Sequence, residues 1–191
     1  MPDNLEQLSL KALGQLFPII LCQYNPQWKE LYLSEKSAIK LALGSENIFR
    51  IHHYGSTSVP NLYSKPTIDI LVEIRKNADP EKVISSLKGI GYLFTPQPDN
   101  PAPHMMFMKG YTPNGFKGQA YHVHVRYGGD WDELYFRDYL ILHPDIAEEY
   151  ANLKIQLKGK FEHDREAYTR GKTQFIKRIT HQARKELGQK Y

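Results

Sequence analysis

The chain has 191 residues and a mass of 22.2 kDa, with 41% apolar and 24% charged residues, the balance of one ordinary globular domain; intrinsic disorder, collagen and a coiled-coil rod are excluded. No apolar run approaches the ~20 residues a membrane span needs, and the single cysteine, Cys22, excludes an intramolecular disulfide and a multi-cysteine zinc site. The net charge of +4 is unevenly spread: residues 1–150 hold 14 Lys and Arg against 17 Asp and Glu, whereas residues 151–191 hold 11 against 4.

Asp3 and Glu6 stand where a secretory leader would be basic, and Pro18 interrupts the short apolar run Phe17–Cys22, so the chain reads as cytoplasmic. Leu5, Leu8, Leu13 and Leu16 have helical spacing over residues 5–17, with Gly14 weakening the end. Ile19–Cys22 reads as a strand or extended lead-in. Asn25-Pro26 starts a helix, an Asn cap followed by Pro, and Gly44 stops it. A strand over Ile48–Tyr54 runs directly into Gly55-Ser56-Thr57-Ser58, and a second strand covers Thr67–Ile74. Residues 80–90 read as a helix and Tyr92–Phe94 as a short strand.

Four prolines between Thr95 and His104 predict a loop, because each removes a ladder donor. Met105–Lys109 and Gln119–Tyr127 form a hairpin pair around a Gly-rich loop. From there the pattern is helical: Asp130 caps a helix through Leu142, a long helix runs from Pro144 to about Ala167, and Gly171 separates it from a last helix, Lys172–Leu187. The predicted architecture is a single α/β (α+β) domain: an N-terminal helix over residues 1–17, a mixed-sheet core over 18–129 and a helical cap over 130–191.

Candidate chemistry concentrates on three stretches. Thr67–Ile74 is apolar on both faces, as a central strand is, yet Asp69 interrupts it; a buried carboxylate needs a cation, a metal or hydrogen-bond donors, or caps a neighbouring loop. Glu73, near the strand end, reads as exposed. The Gly55-Ser56-Thr57 turn offers backbone N–H groups and hydroxyls to an anion, although polar turns after strands are common and no P-loop pattern is present. His122 and His124 share one strand face, as a metal pair, a phosphate-binding pair or simply half-exposed strand residues, with Arg126 continuing that face. His53, beside the turn, Lys65, held extended by Pro66, and Arg137, in an aromatic-rich helix, are further candidates for the site.

A strand ending in Gly-Ser, a gap of twelve residues and an Asp in an apolar strand is similar to the nucleotidyltransferase superfamily signature. The longer string His53-Tyr-Gly-Ser-Thr-Ser-Val-Pro-Asn-Leu-Tyr-Ser-Lys-Pro-Thr-Ile-Asp-Ile resembles the hallmark of the GrpB family. So do His122-Val-His-Val, Phe136-Arg-Asp-Tyr-Leu, His143-Pro144 and Tyr150-Ala-Asn-Leu-Lys154, and the resemblance runs from about Pro18 to Leu187. It implies a nucleotidyltransferase-like fold, with Gly55 and Ser56 holding a triphosphate and Asp69 binding Mg²⁺. The chain departs from the superfamily pattern at Leu71, where the second carboxylate is expected, and the later strand offers His122 and His124 in place of the third.

One Asp plus a His pair suits Zn²⁺, Mn²⁺ or Fe²⁺ better than Mg²⁺, and suits equally a metal-free pocket that holds an anion with His, Arg and Lys. The expected partner is a nucleotide or phosphorylated small molecule. The protein is then either an enzyme of metal-assisted phosphoryl or nucleotidyl transfer or hydrolysis, with Asp69, His122 and His124 as catalytic and metal residues, or a non-catalytic domain that holds such a ligand. Membrane binding is not expected. His122-Val-His-Val-Arg also resembles part of the histidine-triad hydrolase motif, but Arg126 stands at its third His. Nucleic-acid binding by the basic tail fits poorly, because Lys154, Lys158, Arg165 and Lys172 drift around their helices. The +7 balance of the tail reads instead as phosphate recognition, with Lys154 and Lys172 facing an anionic ligand.

Overall fold

The fold is described from a computed structural model of the chain and covers residues 5–191; the acidic N-terminal position Asp3 lies outside the described residues. The elements are α1 (Leu10–Leu16), α2 (Gln27–Leu43), β1 (Ile48–His53), β2 (Thr67–Ile74), α3 (Pro80–Gly89), β3 (Leu93–Pro96), β4 (Met105–Thr112), β5 (Gly115–Tyr127), α4 (Asp132–Leu142), α5 (Pro144–Phe161) and α6 (Arg165–Leu187), with short 3-10 turns at Leu5–Gln7, Ser45–Asn47 and Ser56–Ser58. The predicted mixed sheet with a helical cap is the architecture observed. Among the described residues no helix is long and apolar enough to cross a membrane.

The five strands are ordered β1-β2-β5-β4-β3, and only β2 and β5 run parallel. Strand alternation divides their side chains between two faces. Ile68, Ile70, Val72 and Ile74 of β2, Val123 and Val125 of β5, and Phe107 of β4 pack against Trp28, Ile39 and Leu43 of α2 and Val83 and Leu87 of α3. The opposite face carries the polar set of Asp69 and Glu73 from β2 and His122, His124 and Arg126 from β5. A second core holds the cap together: Tyr135, Tyr139 and Leu140 of α4, Ala147 and Tyr150 of α5, and Phe175, Ile179 and Ala183 of α6. Val59 and Leu62, which follow the Gly-Ser turn, are buried in that second core and tie the turn to the cap.

Several boundaries differ from the sequence reading. The first helix starts only at Leu10, where Ser9 Oγ accepts from Ala12 N. Thr95 and Pro96 belong to β3, because that strand is the sheet edge and its proline needs no ladder partner there. The hairpin of β4 and β5 continues through the glycine-rich stretch to a tight turn at Pro113-Asn114, with Gly110 and Gly115 at φ 86° and 97°. Asp130 does not cap α4; it accepts from Arg184 Nη1 at 2.7 Å. The break between the last two helices falls at residues 162–164, where Asp164 Oδ1 caps α6 by accepting from Ala167 N at 2.9 Å. Gly171 lies inside α6, and a Cβ there would run into the methyl groups of Leu157, so the glycine serves the packing of α5 on α6.

Glu73 is the largest correction. It is 0% exposed and fully partnered: Arg50 Nε and Nη2 each donate to it at 2.8 Å, Gly129 N at 2.9 Å and Trp131 Nε1 at 3.1 Å. It therefore fastens β1 and the loop before α4 to the sheet. Burial pushes its carboxyl up, but His52, Arg50 and the Gly129 amide outweigh that and hold it at about 2, below its ordinary 4.5. A depressed acid stabilises the fold fully above its unfolded value, and the contribution disappears as pH falls from 4.5 toward 2. Glu73→Gln is expected to destabilise the protein by about 1–3 kcal/mol at pH 7, because half-buried Arg50 loses its counter-charge and the buried amide cannot accept from all the donors the carboxylate meets. Urea titrations from pH 7 to pH 2 should show the gap between wild type and variant closing over that acid window.

Candidate functional site

The parallel register of β2 and β5 sets Asp69 opposite His122 and Leu71 opposite His124. One carboxylate and two imidazoles consequently point off the same face, and a ligand atom from each lies within 4.8 Å of the others. Gly55 follows β1 at this level, and the chain continues the β1–β2 pairing through Tyr54 N, which donates to Asp69 O at 3.1 Å. A Cβ at Gly55 would overlap the Asp69 carboxylate, so only glycine lets the turn lie against it. The turn closes as one 3-10 turn, with Ser58 N donating to Gly55 O at 2.9 Å.

His122 Nδ1 stands 3.3 Å from Asp69 Oδ1, long for a charge-assisted hydrogen bond and close to the ligand–ligand edge of a tetrahedral site with bonds of about 2.0–2.1 Å. His122 Nε2 is 2.7 Å from Tyr111 Oη. With Nδ1 as a metal donor, Nε2–H donates to that phenol, the outer bond that orients a ligating imidazole. Burial pushes His124 down to about 4 against the pull of Asp69, so it is neutral at pH 7 with a lone pair to give. Burial works to raise Asp69, but the bond to His122 and the charges of Lys65 and His124 carry it below its ordinary value. An ionised carboxylate and two imidazoles form a donor set that fits Zn²⁺ or Mn²⁺ better than Mg²⁺.

Asp69, Gly55 and Ser56 open onto a cleft of about 520 Å³ between the sheet and the cap. Its far wall is two helical stripes: positions 132, 133, 136, 137 and 140 of α4, and 172, 176, 177, 180, 181 and 184 of α6. Both sets follow the i, i+4, i+8 spacing of one helix face. His122 and His124 do not line the cleft; they stand behind Asp69.

Lys172 is on the cleft wall, and Lys154 and Lys65 are its neighbours. Lys154 is 2% exposed, with Nζ 3.4 Å from Ser64 Oγ and 4.6 Å from the Tyr150 ring centre. Lys172 and Lys65 approach the Tyr168 ring at 4.8 and 5.9 Å. Among the described residues the lysines paired with carboxylates are Lys109, Lys158 and Lys190, and none of these three. Burial, then the repulsion of Lys172 and Lys65, lowers Lys154 to about 7; burial, then Lys172 and Arg165, lowers Lys65 to about 8; burial lowers Lys172 against the pull of Asp69. Cations crowded beside a turn, with Asp69 as the nearby carboxylate, have the chemistry that would receive an anion.

Other predicted site residues are committed elsewhere. Thr57 is 1% exposed; its Oγ1 donates to Thr67 O at 3.0 Å and lies 2.8 Å from His53 Nε2. His53 is stacked on Tyr32 at 4.8 Å, so these two brace the turn from behind and do not face the cleft. Arg126 does not offer a free donor, because Glu133 takes both its Nη groups, at 3.1 and 2.7 Å, and Trp131 covers it at 4.6 Å. Arg137 lines the cleft with its nitrogens engaged by Asp138, His53 O and Tyr191 Oη. Tyr111 and Glu133, which touch the cluster and the cleft, were not singled out by sequence. The α6 stripe was legible there as spacing but without a partner to identify its inward side.

A mixed sheet with a Gly-Ser turn laid over a strand carboxylate and a helical cap behind it is a nucleotidyltransferase-like fold. The model of the GrpB protein family matches residues 18–182, and the chain belongs to that family. It is 42% identical over 156 residues to a UPF0157 protein of Pseudomonas aeruginosa and 40% identical over 183 residues to the UPF0157 protein YqkA of Bacillus subtilis, covering 81% and 92% of this chain. The chain spans only 63% and 51% of the length of those two relatives. It is 34% identical to the glutamate-rich protein GrpB of Alkalihalophilus pseudofirmus over 84% of this chain and 93% of that one. The crystal structure of conserved protein GrpB from Enterococcus faecalis superimposes with a TM-score of 0.76 at 32% identity, over 88% of this chain and 99% of that chain.

Two stability outcomes follow from this geometry. Gly55 has φ −70°, which alanine adopts freely, so Gly55→Ala should cost about 1–3 kcal/mol through the collision with Asp69 alone. Gly89→Ala, with nothing within 4 Å of the new methyl, should cost nothing measurable in the same urea titration. Lys154 carries a depressed base, so its penalty is fully present below pH 7 and is relieved as pH rises toward 10.5. Lys154→Met is therefore expected to stabilise the ligand-free protein by about 1 kcal/mol or more at neutral pH. Denaturation across pH 6–10 should show that gain shrinking as pH rises.

Proposed function

We propose that this GrpB-family protein binds a nucleotide or other phosphorylated small molecule in the cleft between sheet and cap, beside a divalent transition metal held by Asp69, His122 and His124, and that it acts there in phosphoryl or nucleotidyl transfer or hydrolysis. The observation that carries the reading is the set of lysines without carboxylate ion pairs among the described residues, buried Lys154 and half-buried Lys65 and Lys172, gathered near the strand carboxylate that borders the Gly55-Ser56 turn. A phosphate is the counter-charge such a cluster lacks. A divalent metal held by Asp69, His122 and His124 would supply Lewis-acid polarisation of a phosphoryl oxygen. The chain's own contribution is to hold the phosphate on Lys172 and the turn, and to keep His124 neutral as a ligand.

A second reading has one observation in its favour. Leu71 occupies the position of the superfamily's second carboxylate and is 1% exposed, and Glu73 is consumed by Arg50 and Trp131. A domain that binds the same ligand without turning it over accounts for that loss.

Thermal denaturation with Mn²⁺ or Zn²⁺, alone and with ATP, pyrophosphate or coenzyme A, tests the proposal. At about 100 times Kd a ligand adds about 2.7 kcal/mol, or about 5 °C or more for a domain of this size. The metal shift should vanish in Asp69→Asn. Lys172→Gln should keep the metal shift and lose the phosphate-ligand shift. No shift with any of these metals and phosphates would overturn the reading, and binding without release of phosphate or pyrophosphate would favour the non-catalytic one.

A further inference from the structure

A second cavity, of about 150 Å³, lies at the start of β2 and β5 and shares no lining residue with the cleft. Lys65 and Arg165 enter it from one side, and Tyr111 and Phe116 form an aromatic wall, their rings 5.2 Å apart. Phe17 braces both rings from behind, at 5.0 and 5.1 Å. Among the described residues no Asp or Glu lines this cavity and neither cation is ion-paired. Arg165 spends one nitrogen on Phe17 O at 3.2 Å, which fixes its fork without neutralising it.

We propose that this cavity is a separate binding site for a compact aromatic oxyanion, a carboxylate or phosphate carried on a single planar ring. The oxyanion sits between the Arg165 fork and Lys65, where planar two-point donation is strongest. The ring lies against Phe116 and Tyr111, whose faces offer offset or edge contacts. The volume suits one ring, and an inorganic anion alone leaves the aromatic wall wet. Tyr111 links the site to the cluster, since the residue whose ring forms the wall gives its Oη to His122 Nε2 at 2.7 Å.

The site shares Lys65 with the lysine cluster of the nucleotide reading, and the two are told apart by variants at other residues. Phenyl phosphate, benzoate and inorganic phosphate are titrated into the full chain by calorimetry, with no metal added. Wild type should bind phenyl phosphate or benzoate at least about tenfold more tightly than inorganic phosphate, the increment expected for one buried ring. Arg165→Gln should weaken the aromatic probe by about tenfold or more, since it removes a charged donor. Phe116→Ala, in case the first variant fails to fold, should abolish the preference for the ring while keeping the weaker inorganic phosphate binding. Lys172→Gln, in the cleft, should leave all three affinities within about twofold, as a group with no contact to the probe does. Loss of the aromatic probe in Lys172→Gln, equal binding by wild type and Arg165→Gln, or no binding by wild type at millimolar probe would each overturn the proposal. Aromatic binding that persists when nucleotides fail to bind would leave this site standing and sink the reading of the cleft.

Discussion

Everything at this site depends on two strands running in the same direction at one register. β2 and β5 are the only parallel neighbours in the sheet, and Asp69 lies opposite His122. A slip of one residue would send Asp69 into the apolar layer under α2 and α3 and bring Ile68 or Ile70 to the cap side. The alternation of Ile68, Ile70, Val72 and Ile74 against Trp28, Ile39 and Leu87 forbids it, because each of these side chains is buried in that layer. The hydrophobic core thus aligns the polar residues, although none of the polar residues contributes to it.

The polar face is organised as two networks with opposite fates. Around Glu73 the carboxylate is met by Arg50, the Gly129 amide and Trp131, and that end of the strand fastens β1 and the loop before α4. Around Asp69 the charges do not balance: Lys65, Lys154 and Lys172 press in from the cap and from the residue before Pro66, at a cost visible in their lowered proton affinity. Folding alone would favour apolar side chains at those positions. The contrast within a single strand, four residues apart, separates the matched part of the face from the part where like charges crowd.

The sequence made β2 legible because Asp69 breaks an otherwise apolar run, and it made the turn legible because Gly and Ser follow a strand at once. It also showed the His pair, since period 2 is enough to put 122 and 124 together. It failed where the deciding partner stands on another element. Glu73 read as exposed because Arg50 and Trp131 lie 23 and 58 residues away. Arg126 read as a free donor because Glu133, close in sequence, stands on another element. Gly171 read as a helix end, where the true end was set by the cap of Asp164 and the glycine by the bulk of Leu157. The burial of Lys154 had no local signal at all.

The wall that α6 gives to the cleft also has a direction. Lys172 and Arg184 are both on it, twelve residues apart and therefore about 18 Å along the helix axis. At the Lys172 end the charge is positive and uncompensated. At the other end Arg184 is held by Asp130 and Asp132, two acids against one base, with Lys177, Thr180 and His181 between. The wall therefore carries a charge gradient along its length, from the lysine end to an end where acids outnumber the arginine. The groove is polarised along its axis, and it is several times longer than a lone phosphate.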